Sequence, residues 1–396
     1  MNVLVIPSWY PSCSNPLSGI FCREQAEALA TCTDCNVIVC DWGQKDGALS
    51  LSHPLDLLRA LWWRAGARRK IRPRNERCFE FFEPTLIWSP SLPGGGNKRI
   101  FQALRRVYKD AVKMFGKIDL FHAHVCQPGG YLAARLSAET GVPFVITEHW
   151  GAFPGPLVNG RPQPEIELAM SRAAAVISVS RPAAEKIKAC GYERVRVIPN
   201  LVDETRFVAR SFPSGKFRFF SMAGIKHDKG FAVLLQAIAR WSPPSGEVEF
   251  VIAGEGAQLL EFQRLAQKLG VAGLVRWIGA VSRDEAPRHF QECHAFVLAS
   301  RHESFGIVFA EAIASGRPVI ATRCGGPEDI VNDTNGFLVP VEDVAELAAA
   351  LARMKEQHSQ FFPETIRADF MRRFSRPAVT AQIRQLYSEV LAQKSS

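Results

Sequence analysis

The sequence of 396 residues contains no long hydrophobic run. No stretch reaches the roughly 18 consecutive apolar residues that a transmembrane helix needs, so we expect no such helix. The N-terminal segment Met1–Pro7 is too short for a signal peptide, and no basic residue precedes its apolar part. We therefore interpret it as the first strand of a domain and predict that the protein is cytoplasmic.

Metal ligands and dinucleotide motifs are also scarce. Cys32 and Cys35 form a Cys-x-x-Cys pair, but no second pair or nearby histidine completes a zinc site. The ten cysteines are typical of free, buried thiols in a cytosolic protein. No Gly-x-Gly-x-x-Gly follows the first strand, which argues against a dinucleotide-dependent dehydrogenase. We predict no metal ion and no cofactor.

Composition and length indicate a globular protein of two domains. The hydrophobic fraction is 47% and the charged fraction 22%, and a chain of this length is expected to form two domains of about 200 residues each. Strand-like and helix-like segments alternate through both halves, which predicts parallel, doubly wound α/β sheets. A polar segment at 201–214 marks the predicted boundary.

The net charge of +9 is concentrated in two basic segments, residues 59–77 and 98–117. Residues 54–70 are predicted to form a basic amphipathic helix, which contains Trp62 and Trp63. Basic residues interleaved with tryptophan suit an anionic membrane surface, such as the inner face of the cell membrane. A solvated basic face is the alternative that the sequence leaves open. Without a recognised nucleic-acid-binding motif, we predict no nucleic-acid partner.

The most informative stretch runs from residue 295 to residue 322. The apolar run Ala295–Ser300 predicts a short buried strand, and Val319–Thr322 predicts the next one. Between them, a helix is predicted to begin near Gly306 and to end at Gly316. Such a strand–helix–strand unit places the helix N-terminus at the carboxyl edge of a parallel sheet, where open α/β sheets bind ligands.

Two glutamates flank the start of this helix. Glu303 is predicted to lie in the loop, and Glu311 about a turn and a half into the helix. Backbone N–H groups near Gly306 would face an anion such as a diphosphate, and the carboxylates would accept hydrogen bonds from hydroxyl groups. This combination predicts a nucleotide-sugar site, with two exposed helix glutamates as the alternative.

Lys229 and Gly230 directly follow another predicted strand. A lysine at the carboxyl end of a strand, beside a glycine that lets the backbone approach, suits a phosphate group. A solvated surface lysine is the alternative. Gly254–Gly256 follows the next strand, where a plain tight turn is the expectation from the residues alone.

The segment Glu303–Glu311 resembles the E-x7-E motif of the retaining GT-B glycosyltransferases of family 4, or glycosyl transferases group 1. Gly325–Glu328 and Gly336 fit the same pattern. The resemblance implies two Rossmann-like domains that face each other across a cleft. Residues 1–205 would form the acceptor-side domain and residues 206–375 the nucleotide-sugar-binding domain, with residues 376–396 packing back on the first.

The family resemblance also implies roles for particular residues. His149 is expected against the transferred sugar, Gly19 beside the donor phosphate, and Glu311 on the ribose hydroxyls. The expected catalytic residues are His149, Lys229 and Glu303. The expected donor-binding residues are Gly19, Lys229, Gly254, Glu303, Phe305, Gly306, Ile307, Val308 and Glu311. A simple loop glycine at Gly19 and a structural histidine at His149 are the alternatives.

One position departs from the family pattern. The family has an arginine a few residues before the Lys-Gly pair that also binds the diphosphate, whereas Gly224 stands there in this chain. Lys226 is a candidate substitute. The departure leaves open a donor that is bound more weakly or held differently.

The resemblance predicts metal-independent transfer of a sugar, with retained anomeric configuration, from a UDP- or GDP-sugar to a sugar or lipid-linked acceptor. The opening Ser8–Pro11 resembles bacterial relatives that build surface polysaccharides or lipid-linked glycans. Two alternatives remain. One is a nucleotide-sugar epimerase of the same fold; the other is a non-catalytic, membrane-associated partner subunit, which the missing arginine favours.

Overall fold

The computed structural model of the chain describes residues 1–49, 54–88, 96–151, 153–155, 157, 162–244 and 246–395. The chain divides into two compact α/β units. The first unit comprises Met1–Val179, Ala184–Leu201 and the segment from Arg376 onward. The second unit comprises Ser180–Ala183 and Val202–Ser375.

Strands and helices alternate along most of both units. The strands are β1 (Asn2–Pro7), β2 (Asn36–Asp41), β3 (Ala48–Leu49), β4 (Lys70–Pro73), β5 (Cys78–Phe82), β6 (Ile87–Trp88), β7 (Leu120–His124), β8 (Phe144–Glu148), β9 (Ala175–Ser178), β10 (Val195–Val197), β11 (Phe217–Met222), β12 (Val248–Ala253), β13 (Val275–Trp277), β14 (Ala295–Leu298), β15 (Val319–Thr322) and β16 (Gly336–Val339). The helices are α1 (Ile20–Cys32), α2 (Pro54–Gly66), α3 (Asn97–Phe115), α4 (Tyr131–Thr140), α5 (Pro164–Arg172), α6 (Arg181–Ala189), α7 (Phe231–Trp241), α8 (Leu259–Lys268), α9 (Ala286–Gln291), α10 (Ile307–Ala314), α11 (Pro327–Ile330), α12 (Val344–Glu356), α13 (Pro363–Arg373) and α14 (Arg376–Ser395).

The first unit is built on an eight-stranded sheet in the order β10-β9-β8-β7-β1-β2-β5-β4. All neighbouring strands are parallel except β4, which pairs with β5 antiparallel. On β1, Val3 and Val5 join the apolar core on one face of the sheet. Leu4 and Ile6 join the core on the other face. Burial on both faces is typical of parallel strands that helices cover on each side.

The order of the strands reverses beside β1, because β2 pairs on one side of it and β7 on the other. The carboxyl ends of β1 and β7 therefore form a topological switch point, where doubly wound folds bind ligands. The loop after β1 is tied to this edge, since the N–H of Ser8 donates to the carbonyl oxygen of His124 at 3.0 Å.

The last helix, α14, belongs to the first unit and packs against α1. Its buried face includes Val379, Ile383, Tyr387 and Val390. These positions are spaced i, i+4, i+8 and i+11, which is one side of a helix. The same side chains join the apolar core that also receives one face of β1.

The second unit contains a six-stranded parallel sheet in the order β13-β12-β11-β14-β15-β16. α7 packs against α12, and α10 packs against α13. Here the strand order reverses beside β11, which has β12 on one side and β14 on the other. The carboxyl ends of β11 and β14 therefore form the switch point of this unit.

The predicted alternation of strands and helices is confirmed, with local differences. The predicted helix over residues 54–70 ends at Gly66, and β4 begins at Lys70. β4 lies in the basic segment 59–77, where the charge pattern gives no strand signal, and it pairs with β5 just beyond that segment. The structure also contains two helices, α5 and α13, that the sequence pattern does not predict. Each begins with a proline at its first position, which suits a helix N-terminus. None of the helices in the described ranges combines the length and apolar character that crossing a bilayer requires.

Replacing Ile383 of α14 by alanine is expected to destabilise the first unit by about 2–5 kcal/mol, because truncating a fully buried side chain leaves a cavity. Gln382→Ala, on the exposed side of the same helix, is the control. Urea unfolding followed by circular dichroism measures both. Equal unfolding midpoints for the two variants would show that α14 is not packed as described.

Candidate functional site

Two charged side chains of the second unit, those of Lys229 and Glu303, lie at the carboxyl ends of β11 and β14. Lys229 lies in the turn that follows β11, and Glu303 lies in the loop after β14. These strands are neighbours at the point where the strand order reverses. Their loops therefore meet at the edge where α/β sheets bind ligands.

A glycine allows the two loops to touch. Gly230 has a φ of +69°, and a Cβ atom built on it would lie 1.7 Å from the carbonyl oxygen of Ala299. Only glycine permits this approach. The N–H of Arg301 donates to the carbonyl oxygen of Asp228 at 2.8 Å and joins the loops a second time. The backbone packing therefore requires the glycine of the Lys-Gly pair.

The contact between the loops produces an ion pair between Lys229 and Glu303. Nζ of Lys229 lies 2.7 Å from Oε1 of Glu303, and the hydroxyl of Ser300 donates to the same oxygen at 2.8 Å. Both charged side chains are mostly covered, with 23% and 14% of their surfaces exposed. An ammonium group has three N–H donors, so the ion pair leaves Lys229 with hydrogen-bonding capacity for a ligand.

The next part of the site is the start of α10. Gly306 has a φ of +86°, and a Cβ atom there would lie 2.8 Å from the ring of Phe309, so this entry into the helix favours glycine. Within the described residues, the N–H groups of Ile307 and Val308 have no hydrogen-bond acceptor. They lie at the positive end of the helix dipole, where an anion is stabilised.

Glu311 lies on the second turn of α10 and is buried, with 5% of its surface exposed. A buried carboxylate is uncommon unless it has a partner or a function. Glu303 is also largely covered. The alternative of two exposed helix glutamates is therefore wrong for this chain.

The loop that carries Glu303 is held by two glycines. Glu303 is bridged to Gly325, and a Cβ atom on Gly326 would lie 2.3 Å from Cα of Phe305. The side chain of Phe305 is 3% exposed, and its ring centroid lies 5.8 Å from that of Phe374. The backbone of Phe305 is therefore the part that a ligand could reach.

The glycines after β11 and β12 differ in the room around them. A Cβ atom on Gly254 would lie 1.9 Å from the carbonyl oxygen of Ala223, and one on Gly256 would lie 2.1 Å from that of Ile225. At Gly224, however, the nearest atom to a Cβ would be 3.8 Å away, and its φ is not positive. The position where the family has arginine therefore has space for a side chain, and packing does not impose the glycine.

In the first unit, Gly19 immediately precedes α1. It has a φ of +65°, and a Cβ atom there would lie 2.1 Å from the carbonyl oxygen of Trp9. The loop after β1 folds back on itself at this point, which gives the glycine a structural reason. The donor role predicted for Gly19 stays a prediction.

His149 follows β8 and is buried, with 9% of its surface exposed. Its Nε2 lies 3.0 Å from Nδ1 of His124, and its ring centroid lies 4.2 Å from that of Phe21. Burial, followed by the neighbouring His124, holds the pKa of His149 well below 6.5. The imidazole is therefore neutral at pH 7 and acts through hydrogen bonds, without a charge.

Beyond His149, His124 also contacts a third histidine, His122. Its ring stacks on that of His122, with centroids 4.5 Å apart. His122 in turn forms hydrogen bonds with the hydroxyl groups of Thr147 and Tyr387. Burial lowers the pKa of His124 from 6.5 to about 3 and also lowers that of His122. His122 and His124 are therefore part of a fully buried hydrogen-bonded network.

Cys22 lies beside two of these histidines, His124 and His149. Its Sγ and a ring nitrogen from each of His124 and His149 lie within 4.8 Å of one another, the one group of three such potential metal ligands found among the described residues. Burial raises the pKa of the Cys22 thiol well above its usual value. In the metal-free protein this buried thiol is therefore protonated at neutral pH.

Two supporting residues are absent from the sequence-based site. Ser300 holds the carboxylate of Glu303, and a hydroxyl at the end of a predicted strand is the signal that could have indicated it. Tyr387 supports His122 from 265 positions away in the chain. No local pattern indicates a contact at that separation.

Two α/β units with doubly wound parallel sheets, one of which carries a lysine, helix amides and carboxylates at its switch point, define a class of α/β protein that binds ligands at that edge of the sheet. Residues 202–365 match the family model described as glycosyl transferases group 1. Residues 67–206 match the model of Glycosyltransferase Family 4. The chain belongs to this family of glycosyltransferases.

Relatives with known names match parts of the chain. The lipopolysaccharide core biosynthesis glycosyltransferase LpsE of Rhizobium meliloti is 31% identical over 53% of this chain and 62% of its own length. A D-inositol 3-phosphate glycosyltransferase of an Arthrobacter species is 29% identical over 60% of this chain and 62% of its own length. The chain thus spans less than two thirds of either relative.

Solved structures match the whole chain. Sucrose-phosphate synthase from Thermosynechococcus elongatus has a TM-score of 0.73 and 18% identity, with 99% of each chain covered. HepE from Anabaena in complex with UDP has a TM-score of 0.71 and 19% identity, over 98% of this chain and 100% of its own. These likenesses confirm the GT-B fold that the sequence predicts.

The buried histidines predict a dependence of stability on pH. Between about pH 6.5 and 3, the unfolded chain binds a proton at His124 that the folded chain does not bind. The free energy of unfolding therefore falls as the pH drops through this window, by up to about 1.4 kcal/mol per pH unit for each such histidine. His124→Gln is expected to remove the contribution of one proton to the dependence of this free energy on pH. Urea unfolding between pH 7.5 and pH 5 measures the dependence.

The control for this measurement is Gln382→Ala, which alters an exposed side chain that does not titrate. Its slope is expected to equal that of the unaltered protein. Equal slopes for His124→Gln and Gln382→Ala would contradict a neutral, buried His124.

Proposed function

We propose that the chain transfers a sugar from a nucleotide-sugar donor to an acceptor hydroxyl. The observation that carries the proposal is the juxtaposition of the Lys229–Glu303 pair with the start of α10 and the buried Glu311. A cation and free amides suit a diphosphate, and carboxylates suit hydroxyl groups. A nucleoside diphosphate sugar presents both a diphosphate and hydroxyl groups.

The ion pair supplies the charge for the reaction. When a diphosphate binds beside Nζ of Lys229, the lysine gains a more highly charged partner and stabilises the negative charge that develops on the leaving nucleotide. Glu303 accepts hydrogen bonds from sugar hydroxyls, and its charge favours an oxocarbenium-like transition state. Glu311 accepts hydrogen bonds from the ribose hydroxyls.

The proposed reaction retains the anomeric configuration and uses no metal ion. In the front-face route that the family resemblance implies, the bond from the anomeric carbon to the phosphate oxygen breaks. The new bond to the acceptor oxygen forms on the same face, and the leaving phosphate oxygen takes the acceptor proton. The amides of Ile307 and Val308 add to the charge stabilisation from Lys229. His149 is proposed to bind a sugar hydroxyl and Gly19 to lie beside the donor phosphate.

The named relatives support a donor and an acceptor class. HepE has been solved with UDP and with UDP-glucose, which supports a UDP-sugar, with a GDP-sugar as the alternative. LpsE acts in lipopolysaccharide core biosynthesis, and WaaB is a lipopolysaccharide outer core galactosyltransferase. We propose a sugar or lipid-linked acceptor in bacterial surface polysaccharide or lipid-linked glycan synthesis, with the reaction in the cytoplasm.

Isothermal titration of the full chain with UDP and with GDP tests the proposal directly. Binding of one nucleotide is expected, followed by sugar transfer from the matching donor. Absence of binding to either nucleotide would favour the non-catalytic partner subunit. Conversion of the donor sugar without an acceptor would favour the epimerase.

Lys229→Ala and Glu311→Ala are each expected to reduce transfer by about 10²–10³-fold or more, because each removes an electrostatic contact to the donor. Lys268→Ala, on exposed α8, is the matched control and should retain full activity. Initial rates of transfer, with circular dichroism to verify folding, give the comparison. Full activity in either folded site variant would overturn the assignment.

Gly224→Arg is expected to tighten nucleotide binding by about tenfold, because it adds a charge-assisted hydrogen bond at a position with room for a side chain. Titration calorimetry with the preferred nucleotide measures the change. Gly254→Arg is the contrasting variant, since its Cβ atom would meet the carbonyl oxygen of Ala223 at 1.9 Å. Weaker binding by folded Gly224→Arg than by the unaltered protein would contradict a diphosphate beside this turn.

A further inference from the structure

Helix α2 presents an apolar face to solvent. Leu58, Leu61 and Trp62 are 64%, 46% and 83% exposed. With the exposed Ala65 they occupy positions i, i+3, i+4 and i+7, which form one side of a helix. An amphipathic surface helix ordinarily turns such a face toward the core. We refer to these four residues as the α2 apolar face.

The opposite side of α2 fixes this orientation. Ala60 is buried, and the ring of Trp63 lies directly over Gly43, where a Cβ atom would be 2.4 Å from it. The Trp63 ring also meets Phe82 edge to face, with centroids 6.2 Å apart. One tryptophan of the pair therefore anchors the helix, and the adjacent Trp62 is held outward.

Basic side chains accompany the apolar face. Arg59, Arg64 and Arg68 are exposed, and no ion pair joins them to a carboxylate in the part of the chain whose side chains are described. Arg69, the next in the chain, differs because it forms an ion pair with Asp110. Because the guanidinium groups of the three exposed arginines face solvent, an external anion can reach them.

The second basic segment lacks this combination. Within residues 98–117, all of them described, Met114 is the one large apolar side chain that is exposed. Arg105 and Arg106 of this segment pair with Glu139 and Glu83. Exposed large apolar side chains and exposed arginines occur together on α2.

We propose that the α2 apolar face and its arginines bind the surface of an anionic lipid bilayer. The helix would lie parallel to the surface, with the leucines entering the acyl boundary and Trp62 at the level of the headgroups. The guanidinium groups of Arg59, Arg64 and Arg68 would meet lipid phosphates. The site requires no feature of the second unit, so it goes beyond the proposed function and does not depend on it.

Charge and apolarity together favour lipid over other partners. A nucleic acid would neutralise the arginines but leave the leucines and Trp62 in water. A second copy of this chain, joined through a two-fold axis, would bring two sets of like charges together. An anionic bilayer both neutralises the arginines and removes the apolar face from water.

Cosedimentation of the full chain with vesicles tests the proposal. Vesicles of equal parts phosphatidylcholine and phosphatidylglycerol are expected to bind the protein, and vesicles of phosphatidylcholine alone are expected to bind it far more weakly. Raised salt should weaken binding to the anionic vesicles, because it screens the arginine charges. Equal binding to both kinds of vesicle would overturn the proposal.

Two double variants locate the binding surface. Leu58→Ser with Trp62→Ser should weaken binding by about tenfold or more, because it removes two apolar groups from the contact. The matched control is Leu260→Ser with Phe362→Ser, which alters side chains that are 65% and 60% exposed in the second unit. The control should bind anionic vesicles like the unaltered protein.

The charge contribution is measured in the same way. Arg59→Gln with Arg64→Gln should weaken binding by about fivefold for each charge removed. Arg264→Gln with Lys268→Gln removes two exposed charges from α8 and is the control. Equal losses in the two charge variants would contradict a surface centred on α2.

Two further results would overturn the proposal. One is unchanged vesicle binding by the Leu58/Trp62 variant. The other is a lipid-free dimer that this variant converts to a monomer in sedimentation equilibrium, since the face would then join two copies. UDP and GDP titration of the same variant should match the unaltered protein, which separates this surface from the nucleotide site.

Discussion

The site in the second unit depends on one close approach, that of the turn after β11 to the end of β14. Gly230 adopts a positive φ and lies against the carbonyl oxygen of Ala299, where no Cβ atom fits. Because the backbones come this close, the ammonium of Lys229 reaches the carboxylate of Glu303. Any side chain at residue 230 would push the loops apart and separate the two charges.

Backbone geometry and burial, as well as charged side chains, determine the charges in the two units. At the start of α10, backbone amides add a positive potential at the edge of the sheet that carries the Lys229–Glu303 pair, while Glu311 is buried on the next turn of the helix. The first unit contributes the opposite case. Burial keeps its histidines neutral, so they take part in hydrogen bonds without carrying a charge.

Much of this arrangement could be predicted from local sequence. The strand Val319–Thr322 is found with the bounds that its apolar run predicts, and α10 begins directly after Gly306. The β4–β5 hairpin could not be predicted in this way. β4 lies in the basic segment 59–77, and its Arg72 becomes the partner of Glu80 on β5 only when the two strands pair. The sequence therefore indicated only a basic segment at the position where the fold forms β4.

The sequence by itself determined the alternation of strands and helices and the glycine turns, because continuous apolar runs and positive φ angles are local requirements. Only the tertiary structure decided that Glu311 is buried, that Tyr387 supports His122, and that Trp63 turns inward while Trp62 faces solvent. Those outcomes depend on packing between residues far apart in the chain. The local sequence does not indicate which of two adjacent tryptophans on a helix packs against the core.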